Sequence, residues 1–232
     1  MADRDMISAA RDAGRQLLTE VESKDLLVQA GIPTTPALLA ASREEATRLS
    51  CQMGFPAVLK IASSSIAHKT DVGGVRLDLS NEDEVGRAFD EMMAAIKNGY
   101  PDADIQGVSV QPMARPGIEL VMGMSKDQQF GPVLMFGLGG VLVEVLKDVA
   151  FRIVPLTPRD AAQMIREIKG FPVLEGFRGQ GPVDIAALEE SLLKLSRFVD
   201  ERPMIKEMDL NPVFAYSDGL TVVDARIVLE DA

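Results

Sequence analysis

The chain has 232 residues, 47% of them hydrophobic and 25% charged, so it is long and apolar enough to form one large globular domain or two small ones. A formal net charge of −11 at pH 7 argues against a nucleic-acid-binding surface, because contacts to the phosphate backbone depend on clustered Lys and Arg. The single cysteine, Cys51, excludes an internal disulfide and is expected to pack on a helix.

No segment of the sequence predicts a membrane anchor. The longest nearly apolar stretch, residues 133–143, contains three glycines and is too short to span a bilayer. Residues 1–5 lack the apolar core of a signal peptide. The sequence therefore predicts a cytoplasmic protein without a membrane contact.

Apolar periodicity and capping residues predict mixed helices and strands. Ser42, Asn81, Thr157 and Asp184 are good helix N-caps. In chain order the predicted elements are helices 20–30 and 42–53, strands 57–62 and 74–79, helix 81–98, strands 105–113, 118–124, 132–136, 141–145 and 151–154, helices 157–169 and 184–200, and strands 204–210 and 220–225. The last helix carries an apolar stripe expected to be core (Leu188, Leu192, Leu195 and Val199).

The short connections between some neighbouring strands, at residues 111–118 and 211–221, predict antiparallel hairpins and argue against an all-parallel sheet. An α+β fold with two sheets fits this pattern best. Residues 112–117, rich in Pro and Gly, are the candidate boundary between subdomains.

Nucleotide-binding fingerprints give no match. The P-loop pattern is absent, so the chain is not a P-loop protein. Residues 137–140 resemble part of a dinucleotide turn, but Val143 stands where the fingerprint needs its last glycine or alanine, and a strand is predicted where a helix should follow.

His68 is the only histidine, and it lies in a Ser- and Gly-rich loop before Gly73 and Gly74. Neutral imidazole is a nucleophile near pH 7, and paired glycines let backbone N–H groups approach an anion. This combination suggests phosphoryl chemistry. The alternative is a loop histidine that caps a backbone group.

Lys60 ends an apolar run that predicts a buried strand. A buried ammonium group needs an anionic partner, because leaving it unpaired is costly. A nucleotide phosphate is one candidate partner, and a structural salt bridge is the other.

A set of oxygen ligands is predicted near the C-terminus. Strand alternation places Glu207, Asp209 and Asn211 on one face, and a hairpin at Asp218 would bring Asp224 to the same face. Carboxylates and an amide without His or Cys suit Mg²⁺ completed by waters and phosphates. The alternative is a solvated polar strand face.

A nucleotide pocket would also need groups for the base and the ribose. Gln111, Pro112 and Met113 end a strand where backbone groups could pair with a purine edge, and Glu119 could accept from ribose hydroxyls. The alternatives are ordinary packing for the first three and solvent exposure for Glu119.

Several segments, taken together in this order, resemble the ATP-grasp β subunit, or β-like domain, of nucleoside-diphosphate-forming acyl-CoA synthetases, above all ADP-forming acetyl-CoA synthetase. The resemblance implies an α+β ATP-grasp fold, with subdomains 20–112 and 113–232 and nucleotide bound between them. The segments that carry it are 22–33, 68–75, 130–140, 144–152, 174–179, 209–212 and 223–226.

The resemblance implies the reaction of acyl-CoA, ADP and phosphate to acid, CoA and ATP, and it makes His68 a phosphohistidine relay. Asp209 would hold the proton on the other ring nitrogen, and Lys60 and Arg152 would neutralise the transferring group. The other implied assignments are backbone donors to the phosphates (Gly73 and Gly74), adenine contacts (Gln111, Pro112 and Met113), a ribose contact (Glu119) and Mg²⁺ ligands (Asn211 and Asp224).

The implied cofactors are ATP or ADP and Mg²⁺, and the implied partner is a CoA-binding α subunit that carries another phosphohistidine, with an α2β2 assembly as the expectation. No role is predicted for Gly139, Gly140 and Glu144. Two other classes compete: an ATP-grasp regulatory module that senses nucleotide, and a carboxylate–amine ligase, against which the lone loop histidine argues.

Overall fold

The computed structural model describes residues 2–63, 65–66, 69–70, 72–140, 147–177 and 181–231. The predicted strand 141–145 lies outside these residues. The helices are α1 (Ala2–Asp12), α2 (Glu20–Gln29), α3 (Arg43–Met53), α4 (Glu82–Gly99), α5 (Pro158–Glu167), α6 (Phe171–Leu174) and α7 (Ile185–Asp200). The strands are β1 (Leu38–Ala40), β2 (Ala57–Ser63), β3 (Val75–Leu79), β4 (Ile105–Pro112), β5 (Ile118–Asp127), β6 (Gly131–Leu138), β7 (Val149–Ile153), β8 (Ile205–Tyr216), β9 (Gly219–Val222) and β10 (Ala225–Leu229).

Predicted capping residues begin four of the helices. The side chains of Ser42, Asn81, Thr157 and Asp184 each accept a hydrogen bond from a backbone N–H in the first turn of α3, α4, α5 and α7. These bonds satisfy donors that the first helical turn would otherwise leave unpaired. The helix starts could therefore be located from the sequence alone.

One compact unit comprises residues 17–24 and 35–115. Its four-stranded sheet has the order β1-β4-β2-β3, and every strand pair in it is antiparallel. The apolar side of the sheet packs with helices α3 and α4. Their shared core includes Leu59, Ile61, Met92, Ile96 and Val110, all less than 2% exposed.

The other compact unit comprises residues 1–16, 25–34 and 116–232. Its six-stranded sheet has the order β10-β8-β5-β6-β7, with β9 paired to β8, and these pairs are also antiparallel. One face of the sheet is buried beside α5 and α7, with Met122, Leu134 and Leu210 fully covered. The predicted stripe of α7 belongs to this core, since its four residues are at most 3% exposed.

The structure corrects two expectations. The short connection at residues 113–117 does not close a hairpin, because β4 and β5 belong to different sheets; the hairpin between β8 and β9 is present as predicted. Cys51 lies on α3, but its side chain is exposed, so the prediction that it packs was wrong. Among the described residues, no helix has both the length and the apolar character needed to cross a bilayer.

The boundary between the two compact units lies between residues 115 and 116, slightly after the predicted boundary between residues 112 and 113. The sequence did not indicate that residues 25–34, the second half of α2 and the turn after it, pack with the unit that contains residues 116–232.

Candidate functional site

His68 lies outside the described residues, so its predicted role has no geometry here. The end of its loop is described. The N–H of Gly73 donates to the carbonyl of Thr70 (3.1 Å), and the N–H of Gly74 donates to the carbonyl of Lys69 (2.7 Å). Both predicted phosphate donors therefore close a turn within the loop itself.

Gly74 is required by close packing. A Cβ at this position would lie 2.7 Å from the Cγ2 of Ile61 and 2.9 Å from the carbonyl oxygen of Lys69. Only glycine lets the loop lie this close to β2.

Lys60 is buried in the middle of β2, and its partner is a carboxylate. The Lys60 Nζ lies 2.7 Å from Oε1 of Glu20, the first residue of α2. The Nζ of Lys69 lies 2.7 Å from the other oxygen of the same carboxylate. The structural salt bridge considered for Lys60 is therefore present. Its partner, Glu20, also binds Lys69, the residue that follows His68 in the sequence.

Two further side chains complete this cluster. Gln111, 1% exposed, donates from Nε2 to Glu20 (2.7 Å), and its Oε1 accepts from the Nζ of Lys24 (2.6 Å). Lys24 also donates to the hydroxyl of Thr35 (2.7 Å) and lies 3.1 Å from Glu20. We call Glu20, Lys24, Lys60, Lys69 and Gln111 the Glu20 cluster.

Lysine charges dominate the ionisation of Glu20. Burial by itself raises the pKa of the Glu20 carboxyl, but the ammonium groups of Lys60, Lys69 and Lys24 outweigh burial and hold this pKa well below its usual range. Glu20 is therefore an anion at neutral pH.

The residues predicted to border adenine lie at the end of β4. The side chain of Gln111 is occupied within the Glu20 cluster, so it has no free donor or acceptor directed elsewhere in this structure. The N–H of Met113 donates to the carbonyl of Pro56 (2.9 Å), and Pro112 pairs with Ala57. The structure thus places all three residues together at one strand end.

The predicted oxygen ligands meet where β8 is irregular. Leu120 pairs with Val213 while Met122 pairs with Leu210, so β8 contains one more residue than β5 between these pairs. On the other side of β8, Val213 pairs with Val222 and Leu210 pairs with Ala225. Asn211 of β8 therefore lies opposite Asp224, which belongs to the two-residue connection between β9 and β10.

Glu207 and Asp209 precede Asn211 on β8 and lie on the sheet face opposite α5 and α7. Both are half buried, whereas the alternating residues Met208 and Leu210 are buried. The Nη1 of Arg226 lies 3.0 Å from Glu207 Oε1. Glu207 therefore forms an ion pair with Arg226. Asp209 lies two residues before Asn211, one of the predicted metal ligands.

The described residues contain no group of three or more His, Cys, Asp or Glu side chains placed so that they could hold a metal ion together. An amide oxygen from Asn211 and a carboxylate from Asp224 still fit Mg²⁺, because this ion is commonly held by one or two carboxylates with substrate phosphates and water. The donor chemistry therefore fits a metal that arrives with a nucleotide.

Arg152 is not brought together with Asp209. Asp209 pairs with Gly123, and the pairing continues through Met135 to Phe151, so the neighbouring Arg152 points to the opposite face. There its guanidinium pairs with Glu167 at the end of α5. The predicted role of Arg152 in phosphoryl transfer gains no support from this placement.

Glu119 lies exposed at the start of β5, close to two glycines that had no predicted role. Its carbonyl accepts from the N–H of Gly139 (2.7 Å), and a Cβ on Gly140 would lie 2.7 Å from Glu119 Oε2. Gly140 also has a φ of +63°, which favours glycine. Gly140 makes room for the Glu119 side chain, and Gly139 lets the chain lie close to the backbone of Glu119 and Leu120. Glu144 lies outside the described residues.

Sequence reasoning missed Glu20, Lys24 and Lys69. A signal was present, since Glu20 and Lys24 are four residues apart on a predicted helix and therefore share a face. What the sequence could not give was the partner of Lys60, which is distant in the chain.

Comparison with known proteins agrees with this fold. The model of the ATP-grasp domain family matches residues 9–229. The chain is 46% identical over 226 residues to the β subunit of acetate–CoA ligase (ADP-forming) I from Pyrococcus furiosus, covering 97% of each chain. It is 49% identical over 213 residues to acetate–CoA ligase (ADP-forming) II of Archaeoglobus fulgidus, which covers 92% of this chain and 30% of that longer protein.

Two solved structures of dinucleotide forming acetyl-coenzyme A synthetase 1 from Ca. Korarchaeum cryptofilum are also similar, each matching 98% of this chain and 100% of that chain. The complex with coenzyme A, Ca-AMPCP and HgCl+ gives a TM-score of 0.96 at 49% identity. The complex with coenzyme A and Mg-AMPPCP gives 0.87 at 46% identity. The chain therefore belongs to the ATP-grasp domain family, among the relatives of the β subunits of ADP-forming acetate–CoA ligases.

Proposed function

We propose that the chain is the nucleotide-binding subunit of an ADP-forming acyl-CoA synthetase that uses acetyl-CoA. The reaction converts acyl-CoA, ADP and phosphate reversibly to acid, CoA and ATP. The observation that carries this proposal is the similarity to the Pyrococcus furiosus β subunit over 97% of both chains. The mixed helix-and-sheet ATP-grasp fold supports it.

The phosphate is relayed through His68. A neutral ring nitrogen of His68 attacks a phosphoryl group delivered by the partner, forming a P–N bond as the donor's bond to phosphorus breaks. A terminal oxygen of ADP then attacks that phosphorus, the P–N bond breaks, and the imidazole leaves neutral as ATP forms. Lys60 favours this step because its ammonium group attracts the phosphate oxygens.

Asn211 and Asp224 would hold Mg²⁺, and Asp209 offers a carboxylate that can fix the ring proton of a histidine. When bound, Mg²⁺ neutralises charge on the nucleotide phosphates. Glu119 would accept hydrogen bonds from the ribose, and Pro112 and Met113 would border the base.

A partner completes the reaction. The Pyrococcus relative is named as a β subunit, and the Archaeoglobus relative is a longer chain of which this sequence matches 30%. The partner in this proposal is a CoA-binding α subunit that carries another phosphohistidine, in an α2β2 assembly.

The test is ATP formation from acetyl-CoA, ADP and phosphate by the chain assembled with its CoA-binding partner. We expect turnover with the wild type and none with His68→Ala, while ADP binding persists in both. Nucleotide binding without any turnover by the wild-type assembly would contradict the proposal and favour the ATP-grasp regulatory module.

A further inference from the structure

The Glu20 carboxylate collects donors from four separate segments of one compact unit. They come from α2, β2, the loop after β2, and β4. Oε1 lies 2.7 Å from the Lys60 ammonium, 2.7 Å from the Gln111 amide and 3.1 Å from Lys24, and Oε2 lies 2.7 Å from the Lys69 ammonium.

This arrangement is an expensive way to stabilise a fold. Removing ammonium and carboxylate groups from water costs several kcal/mol for each ion, and well-packed apolar residues often serve stability equally well. Lys60 and Glu20 are each about 5% exposed, so both carry this cost nearly in full. A buried charge cluster of this kind is therefore a candidate for a role in chemistry, provided that a specific group depends on it.

Two lysines depend on the Glu20 carboxylate, and both lie at or in the loop of residues 64–74 that contains His68, here called the histidine loop. Lys60 precedes the loop on β2, and Lys69 follows His68 directly in the sequence. The two carboxylate oxygens of Glu20 fix both ammonium groups at once, one oxygen to each lysine.

The remaining donors hold Glu20 itself in place. Gln111 bridges Glu20 and Lys24, and Lys24 is held in turn by the hydroxyl of Thr35. The carboxylate therefore cannot change rotamer without breaking contacts to two other elements.

We propose that Glu20 is a positioning residue for phosphoryl transfer: its carboxylate binds the ammonium groups of Lys60 on β2 and Lys69 in the histidine loop and holds them at a fixed separation. Glu20 acts through the lysines and does not itself touch the phosphate. This inference rests on the proposed function, since it assigns the lysines to the phosphate site.

The first variant is Glu20→Gln, which keeps the shape of the side chain and removes its charge, measured in the assembly with the CoA-binding partner. We expect kcat/KM for ADP to fall about tenfold or more, as for other small misplacements of catalytic groups. Burial favours the neutral form of an ammonium group that has lost its anion, and Lys60 is only 5% exposed, so the alkaline loss of activity should begin at a lower pH than in the wild type.

Glu22→Gln is the matched control. Glu22 lies on the same turn of α2, where its carboxylate accepts from the N–H (2.8 Å) and hydroxyl (2.9 Å) of Thr19. This variant should lose some stability while keeping the wild-type pH profile. If Glu20→Gln and Glu22→Gln have the same pH profile and the same kcat/KM, Glu20 is merely structural and the inference is wrong.

Glu20→Asp covers the case in which Glu20→Gln does not fold. It keeps the charge but shortens the side chain, so the two ammonium groups retain an anion nearby and lose their placement. We expect kcat to fall while the alkaline limb stays in place; wild-type kinetics would overturn the inference. An inactive wild-type assembly would instead refute the proposed function, so the two failures are distinguishable.

Discussion

Asn211 and Asp224 lie opposite each other because Leu210 pairs with Ala225 and Val213 pairs with Val222, so two residues on each side separate these pairs. Alternation along β8 predicted that Asp209 and Asn211 share a face, and the sequence also predicted the hairpin turn before Asp224. The extra residue that β8 has relative to β5 could not be predicted, since a bulge depends on the pairing with a strand that is distant in the sequence.

Asp224→Asn tests the proposed metal site. The substitution removes a carboxylate while keeping its shape, so the Mg²⁺ concentration needed for half-maximal activity should rise at least about tenfold. Asp218→Asn, in the turn of the same hairpin, should leave that concentration unchanged. Mg²⁺ titrations of ATP formation would measure both, and an unchanged requirement in Asp224→Asn would exclude this residue as a ligand.

Glu20 should make the unfolding free energy of the chain depend on pH in the acidic range. Because the pKa of its carboxyl is lower in the folded chain than in the unfolded chain, its contribution is fully present above the unfolded pKa of about 4.3 and is lost as the pH falls towards the folded value. At pH 7, Glu20→Gln should cost about 3 kcal/mol of unfolding free energy.

Urea unfolding between pH 7 and pH 3 would measure this contribution. The difference in unfolding free energy between the wild type and Glu20→Gln should shrink below about pH 5. A difference that stays constant over this range would mean that the carboxylate is not stabilised by its lysine neighbours.

Helices and strands could be predicted where contacts between residues close in the sequence determine them. The N-caps of α3, α4, α5 and α7 lie at the predicted residues, because capping depends only on nearby backbone groups. The three-residue strand β1 was missed, since so short a strand has no detectable period. The hairpin predicted at residues 111–118 was wrong because the length of a connection does not determine whether two strands share a sheet.

Gly74→Ala tests the loop between β2 and β3. The added methyl group would collide with Ile61 and with the backbone of Lys69, so the loop would have to move at a cost of about 1–3 kcal/mol. Gly99→Ala is the control, because nothing lies within 4 Å of a Cβ at that position. Urea unfolding should separate the two variants, and equal stabilities would show that the loop tolerates a side chain.

At the scale of the whole molecule, the resemblance to a known family predicted the fold more specifically than the residue patterns did. Composition and periodicity predicted an α+β protein with two sheets, and the shared segments from residue 22 to residue 226 led to the ATP-grasp family, which the match over residues 9–229 confirms. The contacts of Lys60 and Arg152 were not predictable in this way, because their partners Glu20 and Glu167 are brought to them only by tertiary packing.

The central claim is that His68 carries the phosphate. The most direct measurement is phosphorylation of the chain by γ-labelled ATP and Mg²⁺ in the presence of its CoA-binding partner. The account predicts a label on this chain that is labile to acid, stable to alkali and absent from His68→Ala. A wild-type chain that binds ATP but takes up no label, or a label that persists in His68→Ala, would contradict it.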